Sequence, residues 1–271
     1  MASATSGVRH PKGPTEPAAG PGATDLARAV LDSSVGGKVL VGLTGAGLVL
    51  FVVFHMIGNL KMFQGPDAIN KYAYFLKHDL GALIWVARAG LLAIFVLHIA
   101  LAVRLKLRSV AARPVAYAYP RTAQATVASR TMVWTGVVIG LFTLFHLAHY
   151  TFAWVKGAEV PDPTTGQLVW TNYLDLKDAK DPLRHNVYEM LVAGFTNVPI
   201  VILYLVGQVI LFVHLRHGIP SVFQTLGLKN ARFRGPIDML GLAVALVILV
   251  GNSAIVLAVQ FGWVQTQYKM S

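Results

Sequence analysis

Five long apolar stretches, separated by short polar connections, dominate the pattern of hydrophobic and polar positions along the chain. A helix needs about 20 consecutive apolar residues to cross a bilayer, and each stretch meets that length. We therefore predict five transmembrane helices. They cover roughly residues 39–60, 82–103, 132–154, 197–215 and 237–262.

The overall composition agrees with this pattern. The 271 residues are 55% hydrophobic and 13% charged, with a mean hydropathy of +0.58, whereas soluble proteins carry about 25% charged residues. The predicted fold class is an all-α, polytopic membrane protein. Its fourth helix is expected to end at "HLRHGIP", where two histidines and an arginine precede a Gly-Ile-Pro turn.

The flanking segments define the remaining organisation. Residues 1–35 are rich in Pro, Gly, Ala and Thr and are predicted to be a cytoplasmic tail that is poorly ordered at its start. Within it, "DLARAVLDSSVGGK" is interpreted as a short surface helix. Residues 36–265 form the predicted five-helix domain, and 266–271 a short external C-terminus.

The charge distribution indicates an orientation in the membrane. The net charge is +11, and the connections 104–130 and 216–236 contain basic residues without an acidic one, whereas 156–190 has four basic and six acidic residues. Basic residues collect in cytoplasmic connections. We therefore predict the N-terminus inside and the C-terminus outside, and no nucleic-acid partner.

The chain has no cysteine. Disulfides, thiolate metal sites and covalent haem attachment through C-x-x-C-H are therefore excluded for this chain alone.

One histidine lies deep within or at the edge of each of the first four predicted helices. At 1.5 Å per residue, His55 lies about 25 Å from the cytoplasmic edge and His98 about 9 Å from it. His146 lies about 12 Å from the outer edge, and His214 lies at the cytoplasmic end of the fourth helix. The histidines thus form two levels, with His55 and His146 outside and His98 and His214 inside.

Two pairs of histidines on four helices are typical of two bis-histidine haem b centres, which bundles hold between facing helices. His149 and His217 lie three residues after His146 and His214, so either member of each set is a candidate ligand. His10, His78 and His185 lie outside the helices and are expected to face solvent. A packing or proton-relay role is the simpler interpretation of any one intramembrane histidine.

Several motifs together resemble one family, the single-chain, five-helix cytochrome b membrane-anchor subunits of succinate dehydrogenases and quinol:fumarate reductases. They are "FHMIGNLKMFQGPDAINKYAYFLK" (54–77), "FVLHIALAVRLKLR" (95–108), "ASRTMVWTGVVIGLFTLFHLAHYTF" (128–152) and "VHLRHGIPSVFQTLGL" (213–228). The resemblance implies haem ligation by His55 with His146 and by His98 with His214. The chain differs from some menaquinol-oxidising members of the family, because it has no Asp or Glu inside the first four helices.

The resemblance also implies the biochemical setting. The chain would be the non-flavin subunit of a succinate dehydrogenase in a prokaryotic inner cell membrane and respiratory chain. A flavoprotein subunit and an iron–sulfur subunit would dock at the cytoplasmic face, and the first four helices would form the haem-binding bundle. The substrate would be menaquinone or ubiquinone, and membrane lipid would surround the helices.

Two further sets of residues are predicted around the cofactors. The haem propionates need cationic or hydroxyl partners, for which Arg88 is the candidate at the outer haem and Ser129 and Arg130 are candidates at the inner one. A quinone needs an apolar slot with hydrogen-bond donors close to an electron source. The candidate residues beyond His55 are Asn59, Tyr74, Lys77, His78 and Asp79; the alternative set, near the inner haem, is Ser221, Gln224 and Thr225.

A proton-coupled membrane transporter without haem, with the histidines as a proton relay, is the alternative function. The chain shows no inverted repeat and no matching pair of helices broken by Gly or Pro, which many transporters have.

Overall fold

The computed structural model describes residues 22–112, 127–162 and 165–268. Five helices in this part of the chain are long and apolar enough to cross a membrane. The five helices are α2 (Ser34–Leu60), α4 (Ala82–Ala111), α5 (Val127–His146), α7 (Val198–Thr225) and α8 (Arg234–Gln260).

The two ends of the bundle differ. At the N-terminal end, α1 (Ala23–Asp32) precedes α2, and residues 226–233 join α7 to α8. At the opposite end, here called the large-loop end, residues 61–81 include α3 (Pro66–Tyr74), and residues 152–197 contain two strands and α6 (Val187–Gly194).

Helix α1 confirms the surface helix predicted before the first span. Asp32 at its end accepts a hydrogen bond from the Arg104 Nη2 at 2.7 Å, and its backbone carbonyl accepts one from Arg108 at 2.8 Å. Arg104 also donates to the Leu31 carbonyl at 2.9 Å. These contacts fix α1 to the end of α4. The first 21 residues of the predicted tail lie outside the described residues.

Glycines allow the long helices to approach closely, as small residues do in membrane proteins. A Cβ on Gly207 of α7 would lie 2.8 Å from the Phe142 ring of α5, and one on Gly37 of α2 would lie 3.2 Å from Leu105 of α4. Helix α7 packs against α8, α5 and α2, whereas α4 and α5 make few contacts with each other. The most buried side of the bundle is therefore formed by α7, α8 and α2.

The predicted end of the fourth helix is wrong. Helix α7 does not stop at the Gly-Ile-Pro sequence but continues through Pro220 to Thr225. Proline lacks the N–H that would bond the carbonyl four residues earlier, but transmembrane helices tolerate it where neighbouring helices compensate. Here Pro220 is buried against Gly241 of α8. His214 and His217 therefore lie well inside the helix, not in its last turn.

Helix α5 changes geometry at the large-loop end. Its α-helical part ends at His146, and a π-helical turn covers Leu147–Thr151. Such turns occur frequently at functional sites. His149 lies in this turn and is completely buried.

A small folded cap covers the large-loop end, so the fold is not purely helical. Strands β1 (Gly157–Pro161) and β2 (Leu168–Asn172) form an antiparallel hairpin with Gly157 opposite Asn172. The buried Asn70 of α3 donates to Asp178 and Asn186 and accepts from the Tyr188 N–H. This amide ties the first connection to the cap.

Residues 266–268 also belong to the cap. The buried Glu189 of α6 accepts hydrogen bonds from the Thr266 hydroxyl at 2.7 Å and from the Gln267 N–H at 3.2 Å. Residues 266–268 are thus held against α6. Burial raises the pKa of Glu189, although the two hydrogen bonds oppose this effect.

Candidate functional site

The histidines of the four predicted ligand positions lie at two levels of the bundle. Near the large-loop end, the rings of His55 on α2 and His146 on α5 are in edge-to-face contact, with centroids 5.7 Å apart. Nearer the N-terminal end, His98 on α4 meets Thr44 of α2, and His214 on α7 meets Thr135 of α5. His55 and His146 thus meet near the large-loop end, whereas His98 and His214 lie nearer the N-terminal end.

Aromatic rings flank the histidines near the large-loop end. Phe51, one turn before His55, stacks on its ring at 5.4 Å, and Phe142 lies 6.3 Å from His146. These contacts come from i, i+4 neighbours, whose side chains meet on one face of a helix. They restrict the orientation of each imidazole.

One tyrosine joins His146 to His149. The Tyr204 hydroxyl of α7 lies 3.2 Å from the His146 Nδ1 and 3.0 Å from the His149 Nδ1. Because a phenol has one proton, it donates to one imidazole and accepts from the other. His146 meets His55, whereas His149 packs among Tyr150, Tyr173 and Tyr204. The geometry thus favours His146 over His149 as the partner of His55.

The histidines near the N-terminal end contact threonines. The Thr44 hydroxyl of α2 lies 3.1 Å from the His98 Nδ1, and the Thr135 hydroxyl of α5 lies 3.0 Å from the His214 Nδ1. His217 is half-buried, and its carbonyl accepts a hydrogen bond from Ser221. Of the two histidines in "HLRH", His214 is the one held by a neighbouring helix.

Three buried polar atoms near His146 have no hydrogen-bond partner among the described residues: His149 Nε2, Tyr150 Oη and Tyr173 Oη. Buried polar groups are normally satisfied by protein or ordered water. Sequence reasoning missed Tyr150, Tyr173 and Tyr204, because tyrosine is common at the edge of a membrane helix.

The propionate candidates are only partly described. Arg88 is exposed, and its guanidinium lies 4.9 Å from the Trp85 ring centroid. Arg130 is exposed at the start of α5, and the side chain of Ser129 lies outside the described residues.

Some of the quinone candidates line a pocket of about 200 Å³ at the large-loop end. Its lining includes Lys77, His78 and Arg88, and the ring of Tyr74 stacks on His78 at 4.3 Å. The Asn59 amide instead donates to the His55 carbonyl at 2.9 Å. The pocket is smaller than the 300–1,000 Å³ of typical small-molecule sites.

Basic side chains line the pocket, and Lys177 of the cap adds a further positive charge close to it. Burial lowers the pKa of Lys77, and the charges of Arg88 and Lys177 lower it further. His185, expected to face solvent, is instead partly buried and has its Nδ1 3.1 Å from the Leu176 carbonyl. Burial, followed by the charge of Lys77, lowers the pKa of His185 to about 4.

The four histidines supply imidazole donors from four different helices. His55 and His146 form one pair in ring contact. Gly45 gives the His98 ring room, since a Cβ there would lie only 3.1 Å from its Cε1, whereas a Cβ on Gly136 would make an ordinary contact with the His214 Cε1 at 3.6 Å. No group of three or more His, Cys, Asp or Glu side chains able to hold a metal ion by themselves occurs among the described residues. Paired imidazoles are the ligand set of a bis-histidine haem.

Comparison of the chain with protein-family models, with curated proteins and with solved structures gave no match.

Proposed function

We propose that the chain is the cytochrome b membrane anchor of a succinate:quinone oxidoreductase. The observation that carries this proposal is the placement of four intramembrane histidines, one on each of α2, α4, α5 and α7. His55 and His146 are in ring contact, and a threonine of a neighbouring helix holds each of the other two. An isolated intramembrane imidazole has many uses. Two stacked pairs suit one-electron transfer across a membrane.

His55 with His146, and His98 with His214, would hold two haems b. Haem supplies a reversible one-electron couple whose potential depends on its ligands and their surroundings. Neutral imidazole is the form that ligates iron, and in the membrane the apolar helices would surround both levels. Partner iron–sulfur and flavin subunits would dock over the basic connections at the N-terminal end.

Quinone exchange is proposed at the pocket lined by Lys77, His78 and Arg88. These side chains are hydrogen-bond donors for quinone carbonyls, and the pocket lies at the same end of the bundle as the His55–His146 pair. A His78→Ala variant should lower quinone turnover and leave the haem spectra unchanged. Wild-type quinone kinetics in this variant would move the site to the N-terminal end, near Ser221.

Absorption spectroscopy of the purified protein tests the proposed cofactors. We expect two haems per chain and a Soret and α-band shift on reduction with dithionite. Alanine at His55, His98, His146 or His214 should each remove one haem and keep the other, whereas His217→Ala is the matched control that keeps both. A colourless wild-type protein would contradict the proposal and favour the transporter.

A further inference from the structure

A short sequence recurs on two of the long helices. Residues 43–55, "LTGAGLVLFVVFH", and 134–146, "WTGVVIGLFTLFH", share the pattern T-G-x4-L-F-x2-F-H. In both, the threonine lies eleven residues before the histidine, which is about three helical turns. Each helix therefore presents a Thr-Gly pair and a histidine on the same face, about 16 Å apart.

The two copies make the same contacts with different helices. Thr44 of α2 meets His98 of α4, and Thr135 of α5 meets His214 of α7, with oxygen-to-Nδ1 distances of 3.1 and 3.0 Å. In both copies the adjacent glycine lies against the Cε1 of the same imidazole. One local arrangement thus occurs twice and serves both histidines nearer the N-terminal end.

The direction of these hydrogen bonds follows from the threonines' other partners. The Thr44 hydroxyl donates to the Leu40 carbonyl at 2.7 Å, and the Thr135 hydroxyl donates to the Met132 carbonyl at 3.0 Å. Because a hydroxyl has one proton, each oxygen is left to accept from the imidazole. His98 has a second reason to carry its proton on Nδ1, since this atom also lies 3.2 Å from the Val41 carbonyl, which only accepts.

A neutral imidazole with its proton on Nδ1 has a lone pair on Nε2. Metal-ligating histidines usually donate their other N–H to an acceptor, which fixes the ring and raises its basicity as a ligand. Threonines bonded to their own helix are preorganised acceptors, because the hydroxyl cannot rotate to donate to the imidazole without losing its carbonyl partner.

We propose that Thr44 and Thr135 are the positioning residues of the His98–His214 pair, holding both Nδ1–H groups so that both Nε2 atoms face one metal and setting its midpoint potential. The inference rests on the proposed function. A more basic ligand pair stabilises the ferric state, so both hydroxyls lower the potential. Loss of either hydroxyl should raise it.

Valine has the shape of threonine without the hydroxyl, so Thr44→Val and Thr135→Val are the test variants. Thr44→Ser and Thr135→Ser keep an acceptor. Thr143→Val is the matched control, because Thr143 is also a back-bonded threonine of α5, with its hydroxyl donating to the Ile139 carbonyl at 2.8 Å. Haem content, redox titration of each haem and the EPR signal of the ferric state are measured on membranes containing the full chain.

We expect each valine variant to raise the potential of one haem, or to bind it about tenfold more weakly, while the other haem is unchanged. A tenfold change in the ratio of ferric to ferrous affinity corresponds to about 59 mV for a one-electron couple. The serine variants and Thr143→Val should match the wild type. If a valine variant does not accumulate, the alanine variant at that position replaces it and should shift the potential in the same direction.

Wild-type potentials and EPR signals in both valine variants would overturn the inference and leave the proposed function standing. A shift of the potential in Thr143→Val equal to that in the test variants would have the same meaning. Absence of haem from the wild type would overturn the proposed function and the inference with it.

Discussion

Tyr204 is the residue that orients the histidines near the large-loop end. If His146 donates its Nδ1–H to the Tyr204 oxygen, the phenol donates to the His149 Nδ1, and the His149 proton lies on Nε2. That nitrogen is buried without a partner among the described residues. The hydroxyl of Tyr204 therefore holds two rings at once, one of which is a proposed ligand.

Removing the Tyr204 hydroxyl should lower both the stability of the protein and its retention of haem. We expect Tyr204→Phe to destabilise the protein by about 1–3 kcal/mol, because two buried Nδ1 atoms lose their partner, and to weaken haem retention at His146 about tenfold. Tyr150→Phe is the matched control, since the Tyr150 hydroxyl is buried and unpaired among the described residues. Thermal unfolding and haem content are the measurements; equal losses in the two variants would contradict this role of Tyr204.

The sequence identified the histidines but not the residues that hold them. Placing an imidazole inside an apolar membrane helix costs free energy, so its presence indicates a functional site. A single hydroxyl such as that of Thr44 or Tyr204 is common in membrane helices and gives no such indication. The partners also lie 54 or more residues apart along the chain, and only the packing of helices brings them together. The repeated Thr-Gly pair before His55 and His146 was the available signal.

Among the elements, α7 depends most on a neighbouring helix. Its interior Pro220 breaks the backbone hydrogen-bond pattern, and the proline ring packs against Gly241 of α8. A Cβ at position 241 would lie 2.7 Å from that ring, so glycine is required for this approach. The contact keeps the second half of α7 helical beyond His214.

Gly241→Ala should therefore separate the two helices. We expect a destabilisation of about 1–3 kcal/mol, as is typical of overpacked cores, measured by thermal unfolding in detergent. Gly235→Ala on the same helix is the control, because a Cβ there meets no atom within 4 Å, and it should cause no loss. A Pro220→Ala change in the Gly241→Ala background should restore part of the stability; no restoration would exclude the Pro220 contact as the cause.

Element positions were predictable where hydropathy alone decides them. All five long helices occur where the apolar stretches predicted them. The end of α7 was not predictable, because "HGIP" resembles a helix stop and only Gly241 on another helix explains its continuation. The hairpin and α6 were also missed as elements. The folded structure of this region depends on the buried Asn70 and Glu189, which in the sequence resemble any polar loop residue.

At the scale of the whole molecule, aromatic and charged residues distinguish the two ends. Trp85, Trp154, Trp170 and Trp263 are exposed near the large-loop end and Trp134 near the other, as in the aromatic belts of membrane proteins. The basic connection 216–236 lies at the N-terminal end. Because tryptophan occurs at both membrane interfaces, the orientation is predicted from the basic connection, which places the N-terminal end in the cytoplasm.

The natural absence of cysteine allows a direct test of this orientation. Leu174 in the cap and Leu228 between α7 and α8 are similarly exposed, at 54% and 53%. In intact cells, a membrane-impermeant maleimide should label Leu174→Cys and not Leu228→Cys. After the cells are opened, both variants should react. Labelling of Leu228→Cys alone in intact cells would reverse the orientation.

The close packing of α8 has a consequence for biosynthesis. Ala245, Ile248 and Ala258 of this helix are almost completely buried, yet α8 is the last of the five to leave the ribosome. At 5–20 residues per second, the 46 residues after Thr225 take about 2–9 s to make. During that interval all four proposed ligand histidines exist while one side of α7 is still uncovered. We therefore expect two lengths of ribosome-stalled chain to differ in how fast their bound haem exchanges with added haem. Haem should exchange in chains stalled before α8 emerges and should be retained in chains stalled after it has emerged. Equal exchange at both lengths would contradict this order.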